Sequence, residues 1–298
     1  SQVQKGAPVT LRLQQEPVVQ GALASVEPRN GDVVALIGGY QFGDSHFNRA
    51  TQARRQPGSS FKPVVYSTAL DYGFTAASTV LDAPFVYVNP YTNEVWRPSN
   101  YEHNYKGELP LHTALALSRN TCTVRVAQQV GIANVVQRAK ALGLEPHFPQ
   151  ELAISLGAVA VSPLNLTQAY AAFANQGLGV RPRIITSITD SRGRELYRQD
   201  VEHWQAVSPQ NAYIMATLLK HRAHHPAGKG KGRHCGQDRH HQRRARRLVC
   251  GLFALSGHGR LCGLRPAAQS GPPGAGRPHG RAHLSVLSQH YRTPLPQW

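Results

Sequence analysis

The chain has 298 residues and a formal net charge of +17, which is enough length for one large domain or two small ones. The charge is unevenly distributed, because residues 1–220 carry 19 basic and 15 acidic side chains, whereas residues 221–298 carry 14 basic and one acidic. The last 78 residues also hold ten of the 15 histidines and contain no Ile, Met, Asn or Glu. The two parts therefore need separate interpretations. No apolar run of about 18 residues occurs, so we expect neither a membrane span nor a signal peptide.

The first elements in chain order are a hairpin and a buried helix. Residues 18–39 form two β-rich runs around a Pro-Arg-Asn-Gly-Asp turn, which predicts a β-hairpin. Residues 57–73 begin at a Pro-Gly turn and continue as an apolar helix, with Pro63 in its first turn. Residues 74–108 show no clear period, and we expect a long irregular excursion there.

A helical block and a second hairpin follow. Helical periodicity predicts helices at 109–118, 120–131, 132–143, 162–177 and 208–220. Ser162 is the expected N-cap of the fourth helix, followed by Pro163 at its first position. Residues 183–199 predict a hairpin that turns at Asp-Ser-Arg-Gly. Hairpins combined with a helical block indicate an α+β domain.

Two short motifs carry candidate chemistry. Ser59 and Lys62 form an S-x-x-K pair at a helix start, and three residues are close to one turn, so both side chains share a face. A serine hydroxyl needs a base, and a desolvated lysine near a helix start can serve as one. Ser118 and Asn120 form an S-x-N element at a junction of two predicted helices. S-x-x-K is combined with such an element in the penicillin-recognising serine enzymes.

Three longer segments contain these motifs: RRQPGSSFKP, ALALSRNTCTVRVAQQVG and ISLGAVAVSPLNLTQAYAAFANQG. They resemble the transpeptidase domain of class A penicillin-binding proteins, the bifunctional peptidoglycan synthases of Gram-negative bacteria, and the 1B type is the expected subtype. The resemblance runs from about Leu13 to Lys220. It implies the α+β fold shared by penicillin-binding proteins and serine β-lactamases, with an antiparallel sheet, a helical block and an incomplete C-terminal part.

The resemblance also implies roles for four residues. Ser59 would attack the penultimate D-Ala of a D-Ala-D-Ala stem peptide and form an acyl-enzyme, with Lys62 as its general base. Ser118 would relay a proton towards the leaving D-Ala, and Asn120 would hydrogen-bond Lys62 and the amide of the substrate. A simpler alternative is that Ser118 and Asn120 only cap helices at their junction.

The resemblance further implies the partners. These are peptidoglycan stem peptides, both as D-Ala-D-Ala donor and as amine acceptor, and the β-lactams that mimic the donor; no cofactor, metal or nucleic acid is expected. The expected location is the periplasmic face of the bacterial inner membrane, with a glycosyltransferase domain and an anchor upstream of Ser1. One alternative is a β-lactam-binding sensor domain that acylates without turnover. Another is a basic nucleic-acid-binding protein, against which the localised charge argues.

One element of the family pattern is missing. The family requires a Lys-Thr-Gly tripeptide on a strand beside the nucleophile, where it holds the substrate carboxylate and leads into the oxyanion hole. No such tripeptide occurs in this chain, and the nearest candidate, residues 229–231, has no strand pattern around it. Loss of one oxyanion donor raises the reaction barrier by about 3 kcal/mol.

The tail explains the missing element. Residues 235–251 can be back-translated so that a one-nucleotide offset reads A-G-K-T-G-T-T-N-D-A-R-D-A-W-F-V. The same offset converts residues 255–265 into S-V-V-T-G-V-Y-V-G-F and residues 279–285 into T-A-A-P-I-F-L, in family order. We therefore predict a frameshift between Lys220 and Cys235. On this interpretation, residues 1–220 are the N-terminal part of the transpeptidase domain, and residues 221–298 are an out-of-frame basic tail without stable structure.

Two other functions of the tail are less well supported. A basic nucleic-acid arm is electrostatically possible, but the frameshift alone accounts for the basic composition. A zinc site would lack the close paired spacing of structural sites. The residues available for it are His234, Cys235, Cys250, His258 and Cys262.

Overall fold

The computed structural model describes residues 20–43, 45–90, 92–145 and 147–224, and the backbone of two further segments, 249–255 and 261–264. The strands are β1 (Gly21–Val26), β2 (Val33–Ile37), β3 (Thr79–Asp82), β4 (Tyr87–Val88), β5 (Val95–Trp96), β6 (Gly107–Pro110), β7 (Leu178–Val180), β8 (Ser187–Thr189), β9 (Glu195–Arg198), β10 (His203–Gln205), β11 (Val249–Leu255) and β12 (Leu261–Leu264). The α-helices are α1 (Lys62–Asp71), α2 (Leu111–Ala116), α3 (Asn120–Val130), α4 (Ile132–Ala141), α5 (Pro163–Ala174) and α6 (Pro209–His224). Two 3₁₀ turns lie at Gly58–Phe61 and Leu152–Leu156. Within these ranges, no helix combines the length and the apolar character needed to cross a membrane.

The largest sheet is antiparallel and has the strand order β12-β11-β1-β2. The predicted hairpin at 18–39 is confirmed, since β1 pairs with β2 across its turn. Gly31 is required in that turn because it has φ +79°, and an added Cβ would lie 2.0 Å from the carbonyl oxygen of Arg181. α5 packs against β1 and β11, so the sheet is covered on one face by a helix.

The core is centred on α1, which is buried from Lys62 to Ala69. A helix buried around almost its whole circumference belongs in the interior of a domain, and α1 packs against α3, α4 and α6. This is the apolar helix predicted at 57–73. Its position brings Lys62, with no exposed surface, into the centre of the helical block.

The other predicted helices are confirmed, α2 to α5 with shorter bounds and α6 with a longer C-terminal end. Helix α5 shows why its start was predictable: the Ser162 hydroxyl accepts a hydrogen bond from the backbone N–H of Asn165 at 3.2 Å, and Pro163 is the first helical residue. Such a cap satisfies one of the N–H groups that a helix leaves unpaired at its start. The hairpin predicted at 183–199 is the β8–β9 pair.

The excursion at 74–108 differs from the prediction. It contains four strands, with β3 paired to β6 and β4 paired to β5. β4 and β5 have two residues each, which is too short for an alternating pattern to be recognised. β3 and β6 pair across the intervening loop, so their partners are not neighbours in sequence. β10 was also missed, because its partner, β7, is not its neighbour in sequence.

The predicted boundary near residue 220 falls inside α6, which continues to His224. Two segments of the predicted tail form strands, since β11 pairs with β1 and β12 pairs with β11. Residues 225–248, 256–260 and 265–298 lie outside the described residues. The division into a transpeptidase part and an unstructured tail therefore stays a prediction.

The thiol of Cys122 provides a test of whether the helical core forms in this chain. Cys122 lies on α3 with no exposed surface, and burial raises the pKa of its thiol to about 12. In a chain in which Cys235, Cys250 and Cys262 are replaced by Ser, we expect no reaction with iodoacetamide at pH 8 in buffer and complete reaction in urea. Mass spectrometry measures both. Equal rates in the two conditions would show that this core does not form.

Candidate active site

The candidate nucleophile, Ser59, lies on the exposed side of the 3₁₀ turn that leads into α1. Its carbonyl oxygen accepts a hydrogen bond from the backbone N–H of Lys62. The next carbonyl, that of Ser60, accepts from the Tyr170 hydroxyl at 2.7 Å. Gly157 approaches the turn so closely that an added Cβ would lie 2.4 Å from the Gly58 oxygen. Contacts from two other segments therefore fix the conformation of the turn.

The amine of Lys62 meets the S-x-N element inside the helical block. Its Nζ donates to the Ser118 carbonyl oxygen at 2.6 Å, to the Ser118 Oγ at 3.1 Å and to the Asn120 Oδ1 at 2.7 Å. The structure thus joins Lys62, Ser118 and Asn120 by hydrogen bonds, and it places Ser59 one turn before Lys62. Buried amines need such acceptors, because burial of an unpaired charge or polar group is costly.

The junction between α2 and α3 has an unusual backbone. Ser118 has φ +57°, a left-handed conformation that costs a residue other than glycine of the order of 1–3 kcal/mol. In this conformation both its carbonyl and its hydroxyl contact the lysine amine. The residue at the N-cap of α3 is Arg119, whose own side chain makes no cap hydrogen bond. Ser118 ends α2, since its backbone N–H donates to the Leu115 carbonyl at 3.0 Å. Its carbonyl and hydroxyl also contact Lys62, which goes beyond a capping role.

Beneath the junction lies a group of buried polar residues, which we call the Asp82 cluster: Asp82, Asn100, Arg119 and Thr121. All four have less than a tenth of their surface exposed. The Asp82 carboxylate accepts from Thr121 Oγ1 at 2.5 Å, Arg119 Nε at 2.7 Å and Asn100 Nδ2 at 2.7 Å. It also accepts from the backbone N–H of Lys106 at 3.0 Å. A buried carboxylate is thus fully supplied with donors.

These donors outweigh the effect of burial on Asp82. Burial, the largest single influence, raises the pKa of a carboxyl group, but the hydrogen bonds from Thr121, Asn100 and Arg119 and the charge of Arg119 together lower the pKa of Asp82 below its ordinary value. The carboxylate is therefore ionised at neutral pH, and Arg119 is its ion-pair partner.

The cluster reaches the candidate site through Asn100. The Asn100 Oδ1 accepts from the backbone N–H of Asn120 at 2.8 Å, while the Asn120 Nδ2 donates to the Ser99 carbonyl at 2.8 Å. Sequence analysis missed Asp82 and Asn100 because both lie in the segment taken as irregular. The sequence of β3, Thr-Val-Leu-Asp, gave no signal, because Leu81 is apolar and yet exposed, while Asp82 occupies a buried position next after Val80. A carboxylate on the core-facing side of a strand indicates a specific partner.

The strand beside the candidate nucleophile is β12, which lies next to the 3₁₀ turn of Ser59. Its sequence is Leu-Cys-Gly-Leu and contains neither the lysine nor the threonine that the family pattern requires at such a strand. The other candidate for that element, residues 229–231, lies outside the described residues.

Metal ligands are not gathered anywhere in the part of the chain that the structure describes with side chains, where no group of three or more His, Cys, Asp or Glu residues could hold an ion. Of the zinc candidates weighed in the tail, His234, Cys235 and His258 lie outside the described residues, and Cys250 and Cys262 are described by their backbone alone.

Comparison with known proteins agrees with this geometry. The profile of the family described as "Penicillin binding protein transpeptidase domain" matches residues 21–240, which is more than half of the chain. The chain belongs to the penicillin-binding protein transpeptidase family. The matched range includes the 3₁₀ turn, α1, and the α2–α3 junction, so it contains every candidate site residue.

Relatives and solved structures give the same result. Penicillin-binding protein 1A of Pseudomonas aeruginosa is 44% identical over 197 residues, which are 66% of this chain and 24% of that protein. Penicillin-binding protein 1A of Neisseria flavescens is 39% identical over 225 residues, covering 72% of this chain and 28% of that protein. The crystal structure of penicillin-binding protein 1A from Haemophilus influenzae superposes with a TM-score of 0.69 at 28% identity, over 76% of this chain and 38% of that one. The chain thus spans about a quarter of the length of its curated relatives.

The expected subtype needs correction. The sequence motifs led to an expectation of the 1B type, whereas these relatives are named penicillin-binding protein 1A. The quoted motifs are confined to segments around Ser59, the S-x-N element and α5. They therefore identify the family and do not distinguish its subtypes.

The lowered pKa of Asp82 gives a pH dependence with a defined sign. Because the folded-state pKa lies below the ordinary value of 3.8, the carboxylate stabilises the fold above about pH 4, and this contribution is lost as the pH falls through the folded-state value. We expect Asp82→Asn to lower the urea midpoint at pH 7, and we expect the difference from the unmodified chain to shrink between pH 4 and pH 3. A difference that stays constant over this range would contradict the assignment.

Proposed function

We propose that this transpeptidase domain performs, or derives from one that performs, D,D-transpeptidation through an acyl-serine intermediate. The observation that carries the proposal is the set of three hydrogen bonds that Lys62 Nζ makes to Ser118 and Asn120, one turn after an exposed serine. A nucleophile, an amine within one turn and a group that orients the amine make up the arrangement expected for an activated serine.

In the first half-reaction, Ser59 Oγ attacks the carbonyl carbon of the penultimate D-Ala, and its proton passes to the neutral amine of Lys62. A neutral amine has two N–H bonds, which match the two shortest contacts, to the Ser118 carbonyl at 2.6 Å and to Asn120 at 2.7 Å. The lone pair of a neutral amine is the group that accepts the proton of the attacking hydroxyl. When the tetrahedral intermediate collapses, the terminal D-Ala leaves as a free amine and receives the proton by way of Ser118.

In the second half-reaction, an amine of a neighbouring stem peptide attacks the acyl-serine carbonyl. It loses a proton to the same lysine–serine pair, Ser59 Oγ is released and reprotonated, and a new amide bond joins the two peptides. The net change is one peptide bond broken and one formed, so no cofactor is consumed. A β-lactam enters the first half-reaction as a donor mimic and remains as the acyl-enzyme.

The alternatives are less well supported. A non-turnover β-lactam sensor and a nucleic-acid-binding protein were both possible from the sequence, but the family profile describes a transpeptidase domain and the relatives are named penicillin-binding proteins. On the same resemblance, we assign peptidoglycan stem peptides as substrates and the periplasmic face of the inner membrane as the location.

The absent Lys-Thr-Gly element limits the activity of the chain as written. Nothing in the sequence of β12 replaces the carboxylate anchor, so the donor peptide would be held poorly, and one oxyanion donor is missing with it. We therefore propose an impaired enzyme whose frame-corrected counterpart is active.

The nucleophile is tested by labelling with a fluorescent penicillin. We expect Ser59→Ala to abolish covalent labelling in every version of the chain that labels, because no other hydroxyl would form the acyl bond. Ser60→Ala, which removes the adjacent hydroxyl of the same turn, is the matched control and should retain labelling within about threefold. Gel fluorescence and mass mapping of the acylated peptide measure both. Labelling that persists in Ser59→Ala would remove the assignment.

The missing element is tested by restoring it. Adding or removing one nucleotide near codon 221 gives the frame-corrected chain, and we expect it to be acylated by penicillin about 10²–10³-fold faster than the chain as written, the range for loss of an oxyanion donor. Stopped-flow or quenched labelling provides the rates. Equal rates would show that the Lys-Thr-Gly element is dispensable here.

A further inference from the structure

The Asp82 carboxylate collects hydrogen bonds from several separate parts of the fold. It lies on β3 with no exposed surface, and its donors come from the excursion, the α2–α3 junction and α3. A buried ion pair contributes little net stability, because the desolvation of both charges offsets their attraction. The same donors connect the carboxylate to the junction that carries Ser118 and Asn120.

Local hydrogen bonds end α2 but do not set the direction in which the chain continues. Ser118 adopts φ +57°, and its backbone N–H and that of Arg119 donate to the Leu115 and Ala114 carbonyls. Arg119, the next residue, is held from two sides: its Nε donates to Asp82, and its Nη2 donates to the Asn104 carbonyl at 2.5 Å and to the Asn104 Oδ1 at 2.7 Å. Because Arg119 lies between Ser118 and Asn120, a fixed Arg119 restricts the peptide groups on both sides of it.

A second connection runs through Asn100. Its Nδ2 donates to Asp82, and its Oδ1 accepts from the backbone N–H groups of Asn120 at 2.8 Å and Thr121 at 3.4 Å. The orientation of this amide is thus set by the carboxylate on one side and transmitted to Asn120 on the other. Both connections end on the residues that contact Lys62.

We infer that Asp82 is a positioning residue: through Arg119 and Asn100 it holds Ser118 and Asn120 where their oxygens meet the Lys62 amine. The inference rests on the proposed acyl-serine function and adds to it a residue outside the S-x-x-K and S-x-N motifs. Asp82 itself touches no reacting atom. Its effect on acylation is exerted through the geometry of the junction.

The test variant is Asp82→Asn, which retains the size of the side chain and removes its charge. Asp71→Asn is the matched control, because Asp71 also accepts hydrogen bonds from an arginine, Arg138, and from an asparagine, Asn211. Asp71 lies at the opposite end of α1 from Lys62. Arg119→Lys is a milder second variant, which retains the positive charge and loses the planar fork; it decides the question if Asp82→Asn does not fold.

The first measurement is hydrogen–deuterium exchange of the full chain, as written and frame-corrected, at neutral pH. In Asp82→Asn we expect the amides of residues 118–121 to exchange at least about tenfold faster, while those of residues 62–69 change less, since only the junction is released. Asp71→Asn should leave exchange at the junction unchanged even if its thermal midpoint falls by a similar amount.

The second measurement separates acylation from binding in the frame-corrected chain. We expect Asp82→Asn to lower the acylation rate constant for penicillin by about 10–100-fold, because small displacements of catalytic groups have effects of this size, and to leave the dissociation constant of the initial complex within about threefold. Arg119→Lys should show an intermediate loss, and Asp71→Asn none. A residue important only for stability would not change the rate constant of the folded fraction.

Two results would overturn the inference: unchanged exchange at residues 118–121 in Asp82→Asn, or the same local change in Asp71→Asn. An unchanged acylation rate constant in a folded Asp82→Asn chain would also overturn it. If the proposed function is wrong, no version of the chain will be labelled by penicillin at Ser59. The exchange measurement would still decide whether Asp82 holds the junction.

Discussion

The buried amine of Lys62 is the group around which the described part of the molecule is organised. Removing a lysine side chain from water is expensive unless every polar hydrogen finds an acceptor, and the acceptors here come from Ser118 and Asn120, 56 and 58 residues further along the chain. α1 has to be central to bring the amine inside. The α2–α3 junction presents a carbonyl and a hydroxyl of one residue, Ser118, to this amine. The packing of the core and the geometry of the site thus both serve to pair the buried Lys62 amine.

Local and non-local information explain which features could be predicted. The helices, the first hairpin and the S-x-x-K pair follow from caps, turns and periodicity within a few residues, and the sequence was sufficient for them. The role of Asp82 depends on donors that lie 18 to 39 residues away, and no local pattern encodes such partners. The β3–β6 and β7–β10 pairs were not predicted for a similar reason, because a short strand is stabilised by the strand that pairs with it more than by its own sequence. Tertiary contacts, and not propensity, decided these elements.

The distribution of charged residues along the chain was informative, whereas the net charge of the whole chain was misleading. A value of +17 for the chain would favour an acidic partner, yet the candidate site depends on a few buried groups whose charges are balanced within the Asp82 cluster. Function followed from the geometry of specific side chains, which net charge does not describe. The surplus of basic residues lies in residues 221–298, and the predicted frameshift accounts for the composition of that segment.

The pairing of β1 has a consequence for the behaviour of the protein in solution. Six residues of β1 are in register with β11 on the side away from β2, so β1 is an inner strand of the main sheet because a segment beyond residue 248 pairs with it. A chain in which this segment is cleaved or fails to pair would present a row of free N–H and C=O groups, and such an edge recruits strands from other molecules. Loss of this segment would therefore leave β1 as an edge strand, and we expect concentration-dependent aggregation as its first sign.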